Sequence, residues 1–363
     1  MGHPSPPDYA GRGLVNVVNE VELRMSGSSP HPGLADDLAA RIPAGRSYVI
    51  VLFDGLGASQ LDHPEARDLA RSMAGIVDAP FPTTTTVSLA TIATGLVPAQ
   101  HGLIGYLLWE PTAGTIINTI HMTSAWGGPL DLDLDSFVPS PRIWDRLTGA
   151  GIEPVVVQPF NFASSPLTKT LYGSTRFEGY HTPDDAVAVA RDVASHPNRF
   201  VFLYVPFVDV AAHMAGQDSD AYTEAILLAN SIWDRLSATL PEDVTMIGTA
   251  DHGHVDIAET NKILLPDRVV DSARHFGDGR SMYVTGDPAE TLDATGGVWV
   301  PSDDLPSYLG GGVDARYRDR MPDGVVLMPD GVAAFTPYMN DRLIGHHGGL
   351  TPAEREIPLL VRS

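Results

Sequence analysis

The chain has 363 residues, 43% hydrophobic and 19% charged, a composition that can bury a large core and excludes an intrinsically disordered protein. Its 45 acidic residues against 23 basic ones give a net charge of −22, which disfavours nucleic-acid polymers and anionic membranes as partners. There is no cysteine, so any metal must be held by carboxylate, imidazole or hydroxyl groups rather than by thiolates.

Residues 1–44 are rich in Pro, Gly and Ser and read as an N-terminal arm with a short helix near 34–41. The opening MGHPSPPDYAGRGLVNVVNE has no basic segment leading into an apolar core, and no apolar stretch elsewhere has membrane-spanning length, so a cytoplasmic protein is expected. SYVIVLFDG (47–55) is a continuous apolar run ending in Asp-Gly, the pattern of a strand buried on both faces of a parallel sheet. FPTTTTVSLATIATG (81–95) packs six threonines and a serine into fifteen positions. It reads either as a β-branched strand edge or as a helix of about 87–94 entered at its threonines and stopped by Gly95.

The strand pattern recurs in EPVVVQPFN (153–161), RFVFLYVPFVD (199–209) and VTMIGTADHG (244–253), with helical periodicity over 184–196 and 219–240. This alternation predicts an α/β fold, a doubly wound and mostly parallel sheet flanked by helices. Residues 259–340 differ in texture, with many Gly, Pro and Asp and short apolar runs, and are expected to form a smaller, β-rich cap subdomain. The catalytic core is then 45–258 and 341–363.

The chemistry concentrates at strand ends. Asp54 closes the first strand, Asp209 and His213 follow the third at i and i+4, and Asp251 with His252 closes the fourth; His346 and His347 sit in a late glycine-rich loop. An Asp at a strand end can equally be a turn or helix cap, and such His pairs can be structural. Together, three Asp and two or three His at the carboxyl ends of parallel strands match the ligand demand of a two-metal site for phosphoryl chemistry. His101 and His254 read as structural, and the aromatic-rich stretch 158–180 as pocket lining or buried packing.

The ordered set VLFDGLG, FPTTTTVSLATIATGLVPAQHGLIGY, YVPFVDVAAH, TADHG and HHGGLTP resembles the alkaline phosphatase superfamily, and within it a bacterial member of the type I phosphodiesterase and nucleotide pyrophosphatase family. The likeness spans residues 46–255 and 341–363. In that family the nucleophile lies nine residues before the threonine of the TG pair, here Thr94, which selects Thr85. The resemblance implies one metal held by Asp54, Thr85, Asp251 and His252, and a second by Asp209, His213 and His347, with His346 as the fallback. It implies two divalent ions, zinc or alternatively manganese, and hydrolysis of phosphodiester or pyrophosphate bonds through a phosphothreonine. Small phosphate esters or nucleotide-like molecules are the expected substrates.

Two departures weaken nucleobase recognition: eukaryotic-type relatives carry a stacking aromatic and a phosphoryl-binding asparagine where this chain has Thr86 and Ser88. Three ligand carboxylates against two divalent cations leave the site locally +1, an attraction for small anions within an acidic surface. Between Phe53 and Trp109 the only basic side chains are Arg67 and Arg71, in a stretch expected to be remote from the nucleophile, which favours diesters over monoesters unless Arg142 or Arg176 enters the pocket. The alternatives within the fold are a phosphomonoesterase, a phosphonoacetate-type hydrolase and a phosphoglycerate mutase, the last disfavoured because it normally uses serine. A non-catalytic metal-binding member is the alternative from another class.

Overall fold

The computed structural model describes residues 4–173 and 175–362. In chain order its strands are β1 (Ser47–Phe53), β2 (Met73–Asp78), β3 (Leu107–Glu110), β4 (Thr115–Asn118), β5 (Thr123–Ser124), β6 (Glu153–Pro159), β7 (Arg176–Tyr180), β8 (Arg199–Val205) and β9 (Val244–Thr249). They continue with β10 (Val255–Asp256), β11 (Lys262–Leu264), β12 (Arg274–Gly277), β13 (Ser281–Thr285), β14 (Val298–Pro301), β15 (Gly324–Leu327), β16 (Ala333–Phe335), β17 (Gly345–His346) and β18 (Glu356–Val361).

The main sheet has the order β2-β18-β9-β1-β8-β6-β7. β1 runs parallel to both β8 and β9, and β6 parallel to both β8 and β7; the C-terminal β18 lies antiparallel between β2 and β9. Every residue of β1 is buried, as its unbroken apolar sequence requires of a strand covered on both faces. The helix Pro183–Ala194 turns Ala186, Val187, Ala190, Val193 and Ala194 inward at helical spacing and opens on a Thr182–Asp185 capping box. The doubly wound, mostly parallel architecture expected from the strand pattern is the one observed.

The ends of the chain depart from the simplest sequence reading. Residues 14–26 form a helix, Leu14–Ser26, whose Leu14, Val15, Val17, Val18 and Val21 are buried in the main core. The second sheet, β14-β15-β13-β12-β3-β4-β5, draws β3, β4 and β5 from residues 107–124 as well as four strands from 259–340. Its pairs are all antiparallel, and its two faces serve different cores: Tyr283 of β13 packs into the main core while Met282 and Val284 join a smaller outer cluster. Among the described residues no helix is long and apolar enough to cross a membrane.

Candidate active site and metal centre

The register of the three central strands decides where the polar residues meet. Phe53 of β1 pairs with Val205 of β8 and Leu52 with Thr249 of β9, so the three strands end level. Asp54 follows at once. Asp209 sits in the first turn of the helix Phe207–Ala215 with His213 one turn on, and Asp251 and His252 lie just past β9. The pairing of β10 with β17, Val255 opposite His346, carries the late glycine loop to the same place.

The threonine run enters the helix Thr85–Thr94, with Thr84 at the N-cap and Gly95 left-handed (φ 68°) at the C-cap. Each threonine has its own partner. Thr83 Oγ1 donates to Gly349 O at 2.9 Å and accepts from Gly348 N at 3.0 Å. Thr86 Oγ1 is buried against Gly105 O and Thr119, and Ser88 Oγ donates to Asp251 O at 2.8 Å, so neither position 86 nor 88 presents a surface to a ligand. Thr85 Oγ1 lies 3.1 Å from His252 Nε2. A helix N-terminus at this spot favours an anion beside that hydroxyl.

The histidines share one orientation. His213 Nδ1 donates to Gly345 O at 2.7 Å, His252 Nδ1 to Gly253 O at 3.1 Å, and His347 Nδ1 to Thr83 O at 2.9 Å. Each therefore keeps an Nε2 lone pair, the arrangement by which backbone carbonyls orient metal-ligating imidazoles. His252 and His347 stack with ring centres 3.7 Å apart. The carboxylates leave one oxygen each unpartnered although buried: Asp54 Oδ1, Asp209 Oδ1 and Asp251 Oδ2. Their other contacts are firm, with Asp251 Oδ1 accepting from Gly55 N and His252 N at 3.0 Å, and Asp54 Oδ2 accepting from the buried Tyr204 hydroxyl.

Two groups of donor atoms lie close enough to share an ion: Asp54, Asp251 and His252, and Asp209, His252, His254 and His347. Burial, then the charges of Asp209 and Asp251, push Asp54 well above the ordinary carboxylate range. Burial also raises Asp209, but the adjacent His213 and His254 imidazoles outweigh it and hold that carboxyl well below its ordinary value. Burial, reinforced by the imidazoles of His252, His213 and His254, keeps His347 neutral, the form a metal ligand needs. Buried carboxylate oxygens without a hydrogen-bond partner, set beside imidazole lone pairs, are costly unless a cation joins them, and the donor set suits hard or borderline divalent ions.

The seven residues Asp54, Thr85, Asp209, His213, Asp251, His252 and His347 thus come together at one sheet edge. His346 does not join them, because its Nε2 is bound to Leu343 O at 2.9 Å and its ring packs on Phe335. His101 is buried against Thr91, with burial lowering it to about 3. Three side chains escaped the sequence reading. His254 turns into the cluster rather than away from it, a residue whose only sequence signal is a second imidazole two positions past His252. Tyr204 and Asp278 carry no sequence signal, since their roles arise from contacts across 150 and more residues.

A cavity of about 280 Å³ opens on Thr85 between the two sheets, walled by Tyr106, Asp278, Phe335, Met339 and His347 among others. No Lys or Arg is among its described lining residues. Arg142 is instead bound to Asp135 O, Arg176 is paired with Glu153 and Glu178, and Arg71 with Asp68. Phe160, Phe162 and Tyr180 of the aromatic stretch line a separate groove of about 920 Å³ with Val210 and Met214.

Comparison with known proteins bears on the fold and the family. No curated protein sequence matches the chain. Among solved structures, murine ectonucleotide pyrophosphatase / phosphodiesterase 5 superposes with a TM-score of 0.66 at 21% identity over 86% of this chain and 87% of its own. An inactive variant of that protein in complex with AMP gives 0.68 at 20% identity over 87% of each chain. Phosphonoacetate hydrolase from Sinorhizobium meliloti, in complex with phosphonoformate, gives 0.66 at 18% over 88% and 91%. At such identities these likenesses speak to the fold alone. The sequence profile that matches residues 48–350 is more specific: the chain belongs to the type I phosphodiesterase / nucleotide pyrophosphatase family and is a hydrolase of that kind.

Proposed function

We propose that the protein hydrolyses phosphodiester or pyrophosphate bonds in small molecules through a phosphothreonine at Thr85, with two divalent cations, zinc or alternatively manganese, at the Asp/His centre. The observation that carries this reading is the set of three buried, unpartnered carboxylate oxygens converging on imidazole Nε2 lone pairs beside the Thr85 hydroxyl. Asp54, Thr85, Asp251 and His252 would hold one ion, and Asp209, His213 and His347 the other. Bound there, such ions lower the pKa of a neighbouring hydroxyl and neutralise charge on a departing oxygen.

The remaining work falls to the chain. Thr85 Oγ1, directed by the helix start and facing the His252 lone pair, attacks phosphorus as the bond to the leaving oxygen breaks. Water then cleaves the Thr85 phosphoester, and two in-line displacements retain configuration at phosphorus. The first-turn amides of the helix Thr85–Thr94 favour the anionic phosphoryl group.

The cavity wall supports the diester preference. A monoester brings an extra negative phosphoryl oxygen, normally met by a cation, and here the wall offers Asp278 and no Lys or Arg among its described residues. The deciding experiment loads one preparation with zinc, desalts it, counts bound metal, and compares kcat/KM for bis-p-nitrophenyl phosphate and p-nitrophenyl phosphate, each corrected for its uncatalysed rate. Two zinc ions per chain and a corrected preference for the diester are expected. A stoichiometry near zero would remove the metal mechanism, and a monoester preference would remove the diesterase assignment alone.

A further inference from the structure

His254 is fully enclosed, and its Nδ1 lies 3.3 Å from Gly55 O, a carbonyl that can only accept. The ring is thereby committed to carrying its lone pair on Nε2. That nitrogen lies 3.1 Å from Asp209 Oδ1, yet neither atom has a hydrogen-bond partner. Two electron-rich atoms facing each other in a buried site need positive charge between them. His213 Nε2 is 3.2 Å from the same oxygen, and the ring centres of His254 and His347 are 5.2 Å apart. Donors bonded at about 2.0–2.1 Å to a tetrahedral zinc are separated by about 3.3 Å, so both spacings from Asp209 match edges of one coordination polyhedron.

The fold builds this position deliberately. Gly55 has φ +75°, and a Cβ there would stand 2.5 Å from His254 Cε1 and 2.9 Å from Asp209 Cα, so the turn after β1 leaves the space that the ring occupies. The β10–β17 pairing, which sets Val255 opposite His346, fixes the segment carrying His254 against the loop of His347.

We infer that His254 is a fourth protein ligand of the second cation, completing a set of Asp209, His213, His254 and His347. The inference rests on the proposed binding of divalent cations at this centre. A set with four protein donors holds its ion more tightly than one with three, and the ion must add a fifth ligand to meet a leaving oxygen.

Because the chain has no cysteine, position 254 can be interrogated without background. Metal-stripped His254→Cys protein titrated with cobalt(II) is expected to develop a near-ultraviolet thiolate charge-transfer band, which requires a direct sulfur–metal bond. Zinc competition with a chromophoric chelator should show one of two sites weakened by about 10-fold or more in His254→Ala, with the other unchanged. Unchanged zinc affinity in His254→Ala would overturn the inference, as would a cobalt-loaded, natively folded His254→Cys protein with no thiolate band. Either result with two zinc ions bound to the unaltered protein leaves the proposed function standing; an unaltered protein that binds none refutes the metal reading itself.

Discussion

Among four adjacent threonines only one hydroxyl faces the lone pair of His252, and their substitutions should separate accordingly. Thr85→Ala is expected to lower kcat by roughly 10³-fold or more, the scale on which removing a nucleophile acts, and to leave no trappable phosphothreonine. Thr85→Ser keeps the hydroxyl and should retain measurable turnover. Thr83→Ala loses two buried hydrogen bonds to the Gly348–Gly349 loop and should cost about 1–3 kcal/mol of stability with a smaller loss of rate. Rates and denaturation midpoints for the three variants check the assignment, and similar rates for all would contradict it.

Asp278 extends this reasoning to pH. Burial raises its carboxyl to about 7, countered in part by the Tyr106 amide and the Thr84 hydroxyl. A folded-state value above that of the unfolded chain means its contribution to stability is complete below about pH 4 and lost as pH rises toward 7. Ionised, it would also repel an anionic substrate beside Thr85. Asp278→Asn should therefore flatten the fall in denaturation midpoint between pH 5 and pH 8 and weaken the decline of kcat/KM for an anionic diester above pH 7. Parallel profiles for the two proteins would show that Asp278 does not titrate there.

At the scale of elements, the loop that carries His347 is held by an ion pair rather than by packing alone. Arg280, in the turn between β12 and β13, meets Glu354 at 3.1 Å through two nitrogens, and both side chains are excluded from solvent. Glu354 also accepts from Gly349 N at 2.9 Å and from Thr351 Oγ1 at 2.7 Å, while Arg280 reaches Pro329 O and Val332 O. The second sheet thereby fixes the glycine loop beside Thr83. Removing one charge leaves the other buried and unpaired, so Glu354→Gln should cost about 3–5 kcal/mol by chemical denaturation, and Arg280→Met with Glu354→Leu should recover part of it. An unchanged midpoint for Glu354→Gln would mean that the pair does not hold the loop.

For the whole molecule, the N-terminal segment belongs to the core. Asn19 donates to Gly95 O at 2.8 Å, and Glu22, itself buried, grips Arg146 through two contacts of 2.6 and 2.7 Å while Arg146 reaches Thr94 O at 3.1 Å. The helix Leu14–Ser26 therefore secures the carboxyl end of the helix whose amino end presents Thr85. Deleting residues 1–44 should yield protein that aggregates or unfolds, because it removes the five buried aliphatic side chains of that helix together with Leu34, Leu38 and Ile42 and exposes the core face they cover, a loss of roughly 1.5–3 kcal/mol for each side chain. A truncated chain with an unchanged melting temperature would contradict this.

Local pattern determined much of the protein. Unbroken apolar runs ending in Asp identified the parallel strands, because a strand covered on both faces has no polar side to show, and its polar residues collect at its end. The family resemblance, through its spacing to Thr94, pointed to Thr85, and i,i+4 spacing put Asp209 and His213 on one helical face. Other features depended on contacts with no local signature. Residues 14–26 sit among polar and glycine-rich flanks, and only the groove they fill makes a helix there worth its entropy. The strands at 107–124 become part of the second sheet through β3 meeting β12 across some 170 residues. His254, Tyr204 and Asp278 acquire their roles only where three strand ends, a glycine turn and a loop near the C-terminus converge. A sequence displays the period of each element, whereas burial and electric field at a side chain are sums over neighbours brought in by the tertiary fold.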